Sequence, residues 1–158
     1  MLEQHDLFIE PSSPIAQDAG SPLASPDAPV FRVAIHTTPD LVTYSRRTGF
    51  KIAVQMSLCL NGEFDPARPL QFDPYVHDTR GIVVTADAPP GPWADYFLYA
   101  RVRAAPLAGQ NITWYDLAQM PQDVCVILQG GETMGASFRS NTLVIPGATI
   151  ADALRGQP

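Results

Sequence analysis

The chain is poor in the residues that most binding and catalytic chemistry needs. Its 158 residues include one lysine (Lys51), three histidines, two cysteines and two tryptophans. With nine arginines against twelve aspartates and four glutamates, the net charge is −6. A nucleic-acid binder needs a basic stripe that neutralises phosphates. Here Arg46-Arg47 and Arg101/Arg103 are the nearest approach, so no direct nucleic-acid partner is expected. No run approaches the roughly 18 apolar residues of a membrane-spanning helix, and no membrane partner is expected. The first ten residues, MLEQHDLFIE, carry Glu3, Asp6 and Glu10 and no basic segment, unlike a secretion signal.

Catalytic and metal motifs are missing as well. His5, His36 and His77 are far apart, with no H-x-x-x-H or C-x-x-C spacing. Asp73, His77 and Asp78 lie close together in DPYVHD, but in a proline-rich loop they read as caps for turn backbone. QGGETMG (129–135) lacks the Lys-Ser/Thr of a phosphate loop and reads as a hairpin whose glycines supply positive φ. No catalytic residue, cofactor or metal is therefore expected, and the chain does not read as an enzyme. Cys59 and Cys125 each sit in an apolar, strand-like run, which favours two buried reduced thiols over a disulfide.

What the chain does have is proline, sixteen of them, and alternation. Residues 11–30, PSSPIAQDAGSPLASPDAPV, offer only Ile15, Leu23 and Val30 as large apolar groups. Such a stretch buries too little surface to offset a backbone-ordering cost of about 1–2 kcal/mol per residue. Residues 1–29 therefore read as an extended N-terminal arm: Leu7, Phe8 and Ile9 form a distal apolar plug, and a proline-rich tether follows. Residues 30–158 form the second unit, long enough to bury a real core. Deleting 1–29 is expected to leave the fold intact and abolish assembly.

From Val30 onward the pattern is that of strands. In VFRVAIHT, Phe31, Val33 and Ile35 share one face, and Arg32, Ala34 and His36 share the other. TPDLVTYSRRTG reads as a short helix with Thr38 as N-cap, Pro39 in the first turn and Gly49 as the stop. FKIAVQMSLCL alternates from Phe50 through Leu60 and ends at Asn61-Gly62, a hairpin signal. Residues 63–81, with Pro66, Pro69 and Pro74, read as loop or edge strand. Further strands are expected at 82–86, 96–104, 112–115, 124–128, 133–139 and 142–145, with a terminal helix at 148–155. About eight short strands and one or two short helices predict an all-β antiparallel sandwich, jelly-roll-like in winding.

Tyr96 and Leu98 face the core in this reading, which turns Phe97, Tyr99, Arg101 and Arg103 outward. Aromatics with arginine and without lysine are what protein interfaces favour. Trp93, on the rigid loop DAPPGPWAD, is a further candidate anchor. The candidate partner-binding residues are thus Leu7, Phe8, Ile9, Ile15, Leu23, Trp93, Phe97, Tyr99, Arg101 and Arg103.

A small β-rich domain, acidic and rich in Pro and Ala, with a long N-terminal arm and no catalytic motif, resembles the decoration (cement) proteins of tailed-bacteriophage capsids. The likeness lies in layout and composition across the whole chain; no motif carries it, and no functional residue is transferred. It implies a structural virion protein made in the host cytoplasm and placed on the capsid surface. Such a protein clamps the major capsid protein or other virion subunits, as a dimer or trimer. Two other readings stay open: a tail or connector component, and a carbohydrate- or small-ligand-binding sandwich using Trp93, Tyr96 and Trp114.

Overall fold

A computed structural model describes residues 7–12, 15–17, 30–49, 51–85, 95–101, 115–131 and 137–155. Among them the strands β1 (Phe8–Pro11), β2 (Ala16–Gln17) and β3 (Val30–Thr38) precede a helix, α1 (Leu41–Thr48). Then come β4 (Lys51–Leu60), β5 (Glu63–Pro69), β6 (His77–Asp78), β7 (Asp95–Arg101) and β8 (Val124–Gly131). The short strands β9 (Ser137–Arg139) and β10 (Leu143–Ile145) lead into the helix α2 (Gly147–Arg155). Two antiparallel sheets result. One has the order β1-β3-β7-β6, with β2 also on β3; the other has the order β10-β8-β4-β5, with β9 also on β8. The protein is all-β in architecture, and its two sheets share one core.

Alternation builds that core. Phe31, Val33 and Ile35 from β3 and Leu98 and Ala100 from β7 meet Val54, Met56 and Leu58 from β4 and Val124, Val126 and Leu128 from β8. At about 25 cal/mol per Å², each such side chain contributes roughly 1.5–3 kcal/mol on burial. Leu60 continues the β4 pattern but is 56% exposed, because the strand ends at Asn61 and Gly62, whose φ angles of 53° and 77° close a two-residue hairpin onto Glu63. The β8 run is buried on both faces: Cys125 and Ile127, which point away from the shared core, are buried as well. Gly130 owes its identity to space rather than to a positive φ. A Cβ there would sit 1.7 Å from the Lys51 carbonyl oxygen.

The helix starts later than expected. Asp40, not Thr38, is the N-cap and accepts from the Thr43 N–H at 2.9 Å, while Pro39 precedes the helix on a cis peptide bond. Gly49, at φ 73°, ends the helix as predicted. The Leu41 N–H, one of the groups a helix start leaves unpaired, donates to the buried Tyr96 hydroxyl at 2.8 Å. Residues 82–85 hold only a bridge from Val83 to His77, not the strand expected there. Of the strand expected at 133–139, Ser137–Arg139 is seen; 112–114 and 102–104 lie outside the described residues.

Two further expectations are corrected. Cys59 and Cys125 form a disulfide, with Cα atoms 5.1 Å apart. The register of β4 on β8 pairs Ser57 with Cys125 and sets Cys59 on the adjoining diagonal, a juxtaposition that one-dimensional spacing could not show. The second correction concerns residues 7–12 and 15–17 of the expected arm, which do not stand away from the domain. β1 and β2 run along one edge of β3, joined across a break where the Ser12 N–H donates to the Ala34 carbonyl at 2.9 Å. Leu7 and Ile9, expected as a distal plug, are each 1% exposed in the shared core.

The sandwich is stitched along both sides. On one side the Asn141 side chain, between β9 and β10, brackets Ile9. It accepts from the Ile9 N–H at 2.7 Å and donates to the Ile9 carbonyl at 2.9 Å, as a neighbouring strand would. On the other side, residues 73–76 bulge between the Phe72 bridge and β6, and the Pro74 carbonyl accepts from the Val54 N–H at 3.0 Å. The outer edge of β1 at Ile9, and the stretch of β4 that β5 leaves unpaired at Val54, are thereby bonded across to the other sheet. Asn141→Ala leaves two backbone groups of β1 unpaired. It should cost about 2 kcal/mol, read as a lower urea midpoint with an unchanged slope.

Candidate interaction surface

The one cluster with catalytic potential in the sequence divides between two faces. Register pairs His77 with Phe97 and Asp78 with Tyr96, so the two neighbours point to opposite sides of the sheet. Asp73 accepts from the Tyr75 N–H at 2.9 Å through one oxygen and meets His77 Nε2 at 2.8 Å through the other. The His77 ring stands edge-on to Tyr99, 5.2 Å between centroids. Asp78 accepts from the Arg80 and Ile82 N–H groups and pairs with the Arg80 guanidinium at 2.6 Å. Asp73, His77 and Asp78 therefore do not converge on one pocket. Among the described residues no three His, Cys, Asp or Glu side chains group as a metal site.

Burial pushes the Asp78 carboxyl up, but the Ile82 N–H and the Arg80 side chain and N–H outweigh it and hold the group below the usual aspartate value. A carboxylate lowered on folding contributes stability above its unfolded value, near 3.9, and loses it as pH falls through that value and below. Wild type should thus weaken steeply below about pH 4. Asp78→Asn should already be about 2 kcal/mol less stable at neutral pH and show a flatter acid limb in urea titrations run at several pH values.

The outer face of the first sheet is the stronger candidate. Register aligns Glu10, His36 and Asp95 in one row, and Ala34, Phe97 and His77 in the next. A third row holds Arg32 and Tyr99. The Arg32 guanidinium lies 4.3 Å above the centroid of the Phe97 ring, a cation–π contact that presents arginine and aromatic together. Beside it His36 Nδ1 meets an Asp95 carboxylate oxygen at 3.0 Å on an exposed site. Phe8, on the edge strand, is 50% exposed.

The sequence-derived residues are sorted by this geometry. Phe8 and Phe97 share the outer face, with Arg101 half-buried at the far end of β7. Tyr99, expected outward, is only 6% exposed, with the His77 ring standing against it. Leu7 and Ile9 are lost to the core, and Ile15 packs partly against it. Leu23, Trp93 and Arg103 lie outside the described residues. Arg32 and His36 were missed as surface residues, although the alternation of β3 had set them on one face; only the pairing with β7 shows what they stand beside. Comparison of the chain with protein-family models, with curated proteins and with solved structures finds no match.

Proposed function

We propose that the chain is a structural virion protein of the decoration type, binding the capsid shell through the outer face of β1, β3 and β7. The observation that carries this reading is the outer face of the first sheet, where Phe8 is exposed and the half-buried Arg32 guanidinium lies over the half-buried Phe97 ring. Stacked arginine and aromatics are the groups from which binding hot spots are made. In this reading the partner is the major capsid protein or another virion subunit, and the protein sits on the capsid surface after synthesis in the host cytoplasm. It works as a dimer or trimer at a local symmetry axis. The jelly-roll-like winding is part of this proposal; the chain crosses between the sheets at β3–β4, β5–β6 and β7–β8. It keeps the β4–β5 and β8–β9 hairpins that a strict jelly roll lacks.

A carbohydrate-binding role is less well served. Tyr96, one of three aromatics it would use, is 1% exposed with its hydroxyl taken by the Leu41 N–H. The test is co-sedimentation of the full chain with empty shells assembled from a candidate major capsid protein. Saturable binding that Phe8→Asp weakens at least tenfold, with an unchanged melting curve, is expected. Saturable binding that Phe8→Asp leaves intact would remove this face from the contact. Binding to tail or connector subunits with none to shells would move the protein to another part of the virion.

A further inference from the structure

The edge strand β1 is held by groups that any copy of this chain could fill. Its seat consists of the β3 edge from Ile35 to Thr38, the Asn141 amide and the apolar space taken by Leu7 and Ile9. None of these contacts requires that the strand belong to the same molecule. What ties β1 to its own domain is the connection from Gln17 to Val30. Gln17 is paired with Phe31, so this connection leaves and re-enters the sheet at neighbouring positions. A hairpin at such a place usually takes about 2–5 residues. Here twelve intervene, DAGSPLASPDAP, with Pro22, Pro26 and Pro29 among them. Each proline fixes φ and stiffens the chain toward extension. Extended at about 3.1 Å per residue, twelve residues reach about 37 Å, roughly the width of a domain this size.

We propose that residues 7–17 exchange between copies of this chain, the Phe8–Pro11 strand of one copy seating on the β3 edge and the Asn141 amide of the next. Exchange reproduces every contact of the closed form, so its cost is the entropy of bringing two chains together. A tether of this kind gives its own strand an effective concentration on the order of millimolar. Dilute protein is therefore closed, and exchange sets in where copies are crowded to that level, as on a particle surface. The inference concerns copies of this chain alone and does not depend on the capsid reading.

Glu10 and His36 face each other across β1 and β3 on the outer face, which gives a direct test. Both native cysteines are already paired, so an engineered pair reports alone. Chains carrying Glu10→Cys are mixed with chains carrying His36→Cys, from about 10 µM to about 1 mM around the effective concentration of the tether. They are warmed below the melting point without reductant and run on a denaturing, non-reducing gel. A covalent dimer that grows with concentration is expected, with mass spectrometry finding the peptide that links positions 10 and 36. The double variant E10C/H36C, which should cross-link within one chain when dilute and melt as wild type does, shows that the pair can form. If the double variant cross-links and the mixture yields no 10–36 dimer at the highest concentration, β1 belongs to its own chain and the proposal is overturned.

Discussion

Deleting residues 1–17 should unfold the protein or bring it close to unfolding. That expectation reverses the one drawn from composition, which treated 1–29 as dispensable to the fold. Leu7 and Ile9 are each 1% exposed, and truncating a buried Leu or Ile typically costs about 2–5 kcal/mol through lost transfer energy and the cavity left behind. Losing both side chains removes about 6 kcal/mol before the β1–β3 hydrogen bonds and the Asn141 bracket are counted. Total stability for a domain is only about 5–15 kcal/mol. The milder Ile9→Ala should cost about 3 kcal/mol and lower the melting temperature by about 10 °C at this chain length. Circular dichroism melts of the three proteins would decide the matter. A truncated chain that melts where wild type does would mean that β1 contributes nothing to the fold.

The second large effect belongs to the disulfide. Cys59 and Cys125 are 66 residues apart in sequence, and closing a loop of that length restricts the unfolded chain by about 4 kcal/mol in the chain-entropy account. The double variant Cys59→Ala/Cys125→Ala should lose about that much, seen as a lower urea midpoint. Reductant should destabilise wild type toward the same midpoint and leave the variant where it was. Thiol titration of the denatured, unreduced protein should find no free thiol. Two thiols per chain would show that the bond does not form.

Much of the fold was legible because alternation is a local signal. The faces of β3 and β4, the Asn61-Gly62 turn and the Gly49 stop follow from residues within a few positions of one another. What could not be read are the contacts that span the chain. Cys59 meets Cys125 only once β4 and β8 are in register. Ile9 meets Asn141 across 132 residues of sequence. LFI reads as a three-residue plug until strand geometry divides it, sending Leu7 and Ile9 inward and Phe8 outward. Tyr99 failed for a similar reason, since its outward direction was right but the ring that stands against it belongs to His77, more than twenty positions earlier. The candidate face was half legible: Phe8 and Phe97 stood among the sequence candidates, while the stacking of Arg32 on Phe97 needed the pairing of β3 with β7.

Strand order also decides how the molecule would bear a pull. Residues 18–29 end at Gln17 on one side and at Val30 on the other. Tension entering at Gln17 acts on the last pair of an edge strand, so it peels β2 and then β1 one pair at a time. Tension entering at Val30 acts along a strand held on both sides, and it must shear the whole register from Val30–Arg101 to His36–Asp95 at once. Peeling breaks bonds in series and shearing breaks them in parallel, so the first yields at a much lower force. A single tether thus joins a release point to an anchor, and a load carried through it would free the edge strand while β3 held.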